Sequence, residues 1–192
     1  MNANLRPDVP LVGPAGAVEL LKEHVPQRKV PALLATGLLG TRYRHGAALL
    51  VAQDNVERAI GLPEVDMERL HAQMGAVFVT RQTCRTPVTD DPTRQWLGVD
   101  VFAPMAEQVA AADRWYSVSE QTRAAMRDRI TTDGFVPLVS TVSGLVALCL
   151  EIIEVPTNSG QVRLGTRPAG AWAQEVTDRW LPTGPGGNWT WA

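Results

Sequence analysis

Cysteine, histidine and lysine are scarce in this chain, and each scarcity closes off a chemistry. Cys84 and Cys149 are the only cysteines among 192 residues. They form no CxxC or Cys/His cluster, so a structural zinc site has no ligand set of the usual spacing. A chain this long buries a substantial core without disulfide staples, and two reduced, mostly buried thiols in a reducing compartment are the plain reading. His24, His45 and His71 are the only histidines, which confines any Ser/His or Cys/His mechanism to those positions. Lys22 and Lys29 are the only lysines among 18 basic residues, a bias that reads as a GC-rich genome.

Long apolar runs and strong net charge are lacking as well. "GLVALCLEIIEV" is interrupted by Glu151 and Glu154, well short of the ~18 apolar residues a membrane span needs. The opening "MNANLRPDVPLVGPAGA" has no basic segment leading into an apolar run, so no signal peptide and a soluble protein are expected. A net charge of −2 argues against a surface that grips nucleic acid or anionic lipid as a whole. The phosphate-loop, dinucleotide, zinc-protease and nucleophile-elbow signatures are missing. No metal or cofactor is expected. Hydrophobic residues make up 45% and charged residues 20%, so the chain carries enough apolar surface to fold.

What is present is an α+β pattern: a mainly antiparallel sheet of four or more strands, helices on one face, and extended arms at 1–13 and 181–192, in one domain spanning 1–192. Whether the N-terminal 75 residues share that fold unit stays open. Val18, Leu21 and Val25 predict a helix from Pro14 that Pro26 stops. "VPALLATGLLG" and "AALLVAQ" read as two short strands about the turn-like "TRYRHG". "LPEVDMERLHAQM" predicts a helix with Pro63 in its first turn and Met67, Leu70 and Met74 as its stripe. "AVFVTRQTCR" alternates as a strand, "TPVTDDPT" is a loop, and residues 96–103 read as a second strand that Pro104 ends, followed by an alanine-rich helical stretch. Ser117 and Glu120 make a capping-box pattern for a helix that Gly134 stops, with Arg123, Arg127 and Arg129 exposed. "LVSTVSGLVALCLEIIEV" supplies one or two strands, "TNSG" turns the chain into "QVRLG", and Trp172, Val176 and Trp180 suit a short closing helix.

Candidate chemistry is thin. "GTRYRHG" places Arg42, Arg44 and His45 between two glycines, a loop that can hold a phosphate or carboxylate through bidentate arginines or simply be a solvated turn. Cys84 with His45 is a conceivable thiol–imidazole pair, but nothing in the sequence joins them. Asp54, Glu57, Glu64, Asp66 and Glu68 crowd one region, yet three of them suit the positive end of a helix dipole without any reaction. The arginines at 123, 127 and 129 fit a solvated helix face better than a phosphate track. Six tryptophans are generous, and Trp180, Trp189 and Trp191 are candidate interface anchors, or a tail folded back over its own core.

The segment "AVFVTRQTCRTPVTDDPTRQWLGVDVFAP" resembles the middle of tail terminator proteins of long-tailed phages, in which a strand, a long hairpin loop and a "W…VxVF" strand lead into a helix. "SVSEQTRAAMRDRI" is similar to the family's helix and "LVALCLEIIEV" to its closing strand, so the resemblance covers about residues 76–155. It implies a non-catalytic structural protein of the virion, assembled in the host cytoplasm. Such a protein forms a homo-oligomeric ring at the head–tail or tail-tube end and meets the tail tube or head connector; the family has no catalytic site to transfer. Two other readings stay open. One is a small α+β enzyme or ligand-binding protein of a bacterial cytoplasm, taking an anionic small molecule at Arg42, Arg44 and His45. The other is a partner-binding regulatory or immunity module with exposed tryptophans.

Overall fold

The structure, a computed structural model, describes residues 9–93, 95–113, 116–157, 160–181 and 189–191. In chain order its elements are β1 (Leu11–Val12), α1 (Pro14–Leu21), a 3-10 turn (Gln27–Lys29), α2 (Val30–Thr36), β2 (Tyr43–His45), β3 (Ala48–Ala52), α3 (Gln53–Ile60), α4 (Met67–Met74) and β4 (Phe78–Gln82). Then come β5 (Thr86–Pro87), β6 (Trp96–Leu97), α5 (Met105–Ala112), β7 (Tyr116–Ser117), α6 (Glu120–Asp133), β8 (Val136–Val142) and β9 (Leu145–Glu154). The last are β10 (Gln161–Val162), β11 (Gly165–Pro168), a second 3-10 turn (Ala171–Glu175) and β12 (Trp189–Trp191). The fold is α+β, as the pattern predicts.

The main sheet has the order β11-β9-β8-β4-β12, antiparallel throughout except for the parallel pair β4–β8. The β8–β9 hairpin turns at Ser143 and Gly144, with φ of 56° and 94°, the left-handed pair that a tight two-residue loop needs to match strand twist. Phe78, Leu138 and Leu150 pack with Ala112 of α5 and Met126 of α6, while Val79 and Val139 pack with Leu70 of α4 and with Val176. Helices therefore cover both faces and not one. The cause is visible in β4 and β8, where consecutive residues are apolar and buried, which makes a strand pair that must be covered on both sides.

The described part of the N-terminal segment shares a core with this sheet: Leu21, Leu33, Leu34 and Val56 cluster with Val142, Leu145 and Trp180. Residues 30–36 are helical and not a strand. Pro31 occupies the first turn, Val30, Leu33 and Leu34 supply the buried side, and Gly37 at φ 83° ends the helix. "TRYRHG" is not the turn but contains β2, which pairs with β3 around Gly46 at φ 58°. A helix over Gln53–Ile60, unassigned from the sequence, buries Val56 and Ala59. Leu11 and Val12 of the expected arm pair with Ala52 and Val51 of the same chain, and residues 1–8 of that arm lie outside the described residues.

Four further boundaries move for stated reasons. Pro63 and Glu64 precede α4 because this backbone pairs with Trp180, and the helix starts after Asp66, whose carboxylate accepts from the Arg69 amide at 2.9 Å. Ser119, not Ser117, caps α6 by accepting from the Thr122 amide at 3.1 Å, and Ser117 pairs with Gln161. Arg123 faces inward, 6% exposed, in an ion pair with Glu120 at 2.8 Å. The closing helix is only a 3-10 turn; Asp178, at φ 55°, lies beyond it, and Trp180 enters bridges with Glu64 and Leu145. The expected turn "TNSG" includes residues 158 and 159, and the tail includes 182–188 and 192, all outside the described residues. Trp189–Trp191 of that tail, expected to be irregular, form the edge strand β12.

Candidate interaction surface

The strand expected over 96–103 stops after Leu97 because Gly98 takes φ 81°, and a β-carbon there would lie 2.4 Å from the Cys84 carbonyl oxygen. Beyond it the chain is pinned on two sides. The Val99 amide donates to the Thr83 carbonyl at 2.8 Å, and the Val101 amide donates to the Thr36 carbonyl at the end of α2 at 2.9 Å. Val99 is buried in the N-terminal core and Val101 packs against it, so the apolar alternation is kept although the strand is not.

Asp100 organises the turn that leads into α5. Its carboxylate accepts from Arg42 at 3.0 and 3.3 Å and from the Phe102 amide at 3.2 Å, with Arg85 at 3.9 Å. This turn throws Phe102 outward, 56% exposed, and Met105 comes next at the start of α5, 51% exposed. The side chain of Gln108 ties the turn to α5 by donating to the Ala103 carbonyl at 2.8 Å. Arg42 lies 5.0 Å from the Phe102 ring centroid, and Arg85 lies 4.0 Å from that of Trp96 while pairing with Glu107 at 2.8 Å. Each cation–ring contact is worth about 0.5–1 kcal/mol at an exposed site.

The outcome is a rigid apolar knob, Phe102 and Met105, with a rim of two arginines and two carboxylates. Burying each knob side chain against another surface yields roughly 1.5–3 kcal/mol, and an already ordered loop loses little entropy on docking. On a different part of the surface, an open depression of about 720 Å³ at the ends of α4 and α6 is lined by His71, Met74, Gly75, Arg129 and Phe135. Arg129 fixes its wall by donating to the carbonyls of Met74 and Ala76 while pairing with Asp133.

The expected anion loop does not converge. Arg42 is committed to Asp100 and to the Ala35 carbonyl at 2.6 Å, and Arg44 and His45 are exposed neighbours on β2 whose side chains leave opposite faces. The Cys84 sulfur meets the Thr83 hydroxyl at 4.0 Å and not His45. His24 stacks on Trp180, and His71 borders the depression. Among the described residues no group of three His, Cys, Asp or Glu is placed to hold a metal, and no helix is long and apolar enough to cross a membrane. Arg127 pairs with Glu120, so the arginine row of α6 is neutralised on its own helix and at the α4 end.

Trp180, Trp189 and Trp191 pack within this chain. Trp180 is 4% exposed, its indole donating to the Ala59 carbonyl at 2.8 Å. Trp189 stacks on Phe78, and Trp189 and Trp191 are half-buried against the α6 side of the sheet. The pair that sequence reasoning missed is Phe102 with Met105. The signal was the Asp100-x-Phe102 step after Gly98, which an unbroken strand conceals. No protein-family model, curated protein or solved structure matches the chain.

Proposed function

We propose that this is a non-catalytic structural protein that assembles with copies of itself into a ring, as a tail-terminator-like component of a phage particle put together in the host cytoplasm. The observation that carries the reading is the exposed, preorganised Phe102–Met105 knob. Its rim bears Arg42 and Arg85 beside Asp100 and Glu107, a balanced set of charges that suits docking to another copy of a nearly neutral chain. A ring needs two different patches on each subunit, so that contacts run head to tail until they close. The depression lined by Met74, Phe135, Arg129 and Asp133 supplies the second patch, with apolar and charged side chains together. Over residues 76–155 the elements run β4, β5, β6, α5, β7, α6, β8 and β9; a strand, helices and a closing strand are in the sequence the resemblance uses, while its "W…VxVF" strand is reduced to Trp96–Leu97. A tail tube or head connector is the partner that this role calls for.

The ligand-binding reading centred on Arg42, Arg44 and His45 loses support because Arg42 is consumed by Asp100. The module reading loses one of its three anchors because Trp180 is internal. Light scattering over a concentration series, with negative-stain images of the same peak, tests the proposal. Closed oligomers are expected for the natural chain and monomers for Phe102→Asp, with unchanged thermal unfolding of the monomer. A natural chain that stays monomeric to millimolar concentration, or a Phe102→Asp variant that still assembles, overturns it.

A further inference from the structure

A second feature of the surface has a different chemistry and stands independently of the assembly reading. Where the N-terminal helices meet the carboxyl ends of β4 and β8 there is a cavity of about 140 Å³, lined among others by Lys29, Arg81, Gln82, Thr141 and Ser143. We propose that it is an oxyanion site for a phosphate group, either inorganic or at the end of a small phosphorylated molecule.

Position, charge and size each support this. β4 and β8 are the one parallel pair of the main sheet, and the crevice beyond the carboxyl ends of parallel strands is where open sheets take ligands. Among the described residues two cationic side chains, Lys29 and Arg81, line the cavity and no carboxylate does. Lys29 makes no ion pair among the described residues, although it is one of only two lysines, and the other, Lys22, is paired with Glu19 at 2.6 Å. The cavity, about 140 Å³, has room for a tetrahedral oxyanion together with bridging water.

The neutral wall is held from behind. The Thr141 hydroxyl donates to the Thr80 carbonyl at 3.2 Å, and the Gln82 amide donates to the Tyr116 hydroxyl at 3.1 Å, so these side chains are fixed by the sheet before any ligand arrives. Ser143 completes the mouth from the β8–β9 turn. Its φ of 56° is one that Asn, Asp or Gly fill more often. An aspartate here would add a negative charge beside the cavity, whereas serine leaves its charge unchanged. The named lining groups come from three separate stretches, the 3-10 turn before α2, the end of β4, and the end of β8 with the β8–β9 turn, and only the fold assembles them.

The test is a titration of the natural chain with sodium phosphate at constant ionic strength, monitored by amide chemical shifts, with sodium chloride as the control and glycerol 3-phosphate as a second probe. Saturable shifts at Ser143, Gly144 and Val30 are expected with phosphate and not with chloride. Lys29→Met, at an exposed position, should weaken binding about tenfold or more, and Ser143→Gly, which suits the same backbone, by a few-fold. Lys22→Met should bind as the natural chain does. Tighter binding of glycerol 3-phosphate than of phosphate assigns the site to a phosphorylated small molecule, and the reverse assigns it to the free ion. Shifts that match those of chloride, or an equal loss in Lys22→Met and Lys29→Met, would reduce the effect to general charge screening and overturn the proposal.

Discussion

The guanidinium of Arg42 and the carboxylate of Asp100, 58 positions apart in sequence, meet at 3.0 Å and hold the end of α2 against the turn that presents Phe102. The pair is partly buried, with side chains 27% and 13% exposed, so removing one partner strands the other where water reaches it poorly. Arg42→Met is expected to destabilise the fold by about 1–3 kcal/mol, read as a lower urea midpoint. Arg42→Met combined with Asp100→Asn should cost less than the sum of the single changes, because neither charge is then left alone. Additive losses would show that the two groups act separately.

Gly98 and Gly46 separate backbone conformation from crowding. Both have positive φ, 81° and 58°, but a β-carbon on Gly98 would sit 2.4 Å from a carbonyl oxygen and one on Gly46 would meet nothing within 4 Å. Gly46→Ala should cost only the conformational term of about 1–2 kcal/mol. Gly98→Ala should cost that and a further ~1–3 kcal/mol for overpacking against backbone. Equal melting temperatures for the two variants would contradict this account of why β6 ends at Leu97.

Glu151 gives the fold an acid-sensitive point. Burial alone would raise its carboxyl, but the Gly170 amide at 2.9 Å, Arg167 at 2.6 Å and the Trp172 indole at 3.0 Å hold it below the ordinary glutamate value. A group with a depressed folded pKa contributes stability that is present above its unfolded pKa, about 4.3, and is lost as pH falls through the folded value. Glu151→Gln should therefore be less stable than the natural chain at pH 7 and show a shallower fall in stability below about pH 4.3. A profile parallel to that of the natural chain would assign the acid sensitivity elsewhere.

The two thiols should be told apart by alkylation. Burial pushes the Cys149 thiol up to about 12, against the opposing hydrogen bond with the Thr177 hydroxyl, so at pH 8 it is almost wholly protonated and unreactive. Cys84, half-exposed in the loop after β4, is expected to take up iodoacetamide first. Mass spectrometry of the native protein should find the label on Cys84, with Cys149 modified only on unfolding. Rapid labelling of Cys149 in the folded protein would show that its side of the sheet opens.

The elements legible in the sequence are those set by local signals. The stripe of Met67, Leu70 and Met74, the alternation of Val77 and Val79 against Phe78 and Thr80, and the glycine stop at Gly134 each report the element that forms there. The failures lie where a neighbour distant in sequence decides. Pro63 and Glu64 look helical until Trp180 pairs with their backbone, and 30–36 looks like a strand because a short apolar run has no period of its own. The commitment of Arg42 was hidden for the same reason, since Asp100 is invisible beside "TRYRHG". The phosphate cavity was equally hidden, as its lining is brought together by the parallel β4–β8 pairing and not by any motif.

That pairing also bears on how quickly the chain reaches its final form. Thr80 and Ser140, whose hydroxyls meet at 2.8 Å across β4 and β8, are 60 positions apart, and the loop between them must close before either strand gains anything. The β8–β9 hairpin, joined by a tight turn, is free to form early and offers an edge, and β4 joins only after a long search. Contacts of such sequence separation put folding toward the slow, millisecond-to-second end of the range for small domains. Until β4 docks, the apolar edge of β8 stands uncovered, so expression at lower temperature, where chains meet one another less often, is the condition under which the protein should be recovered in best yield.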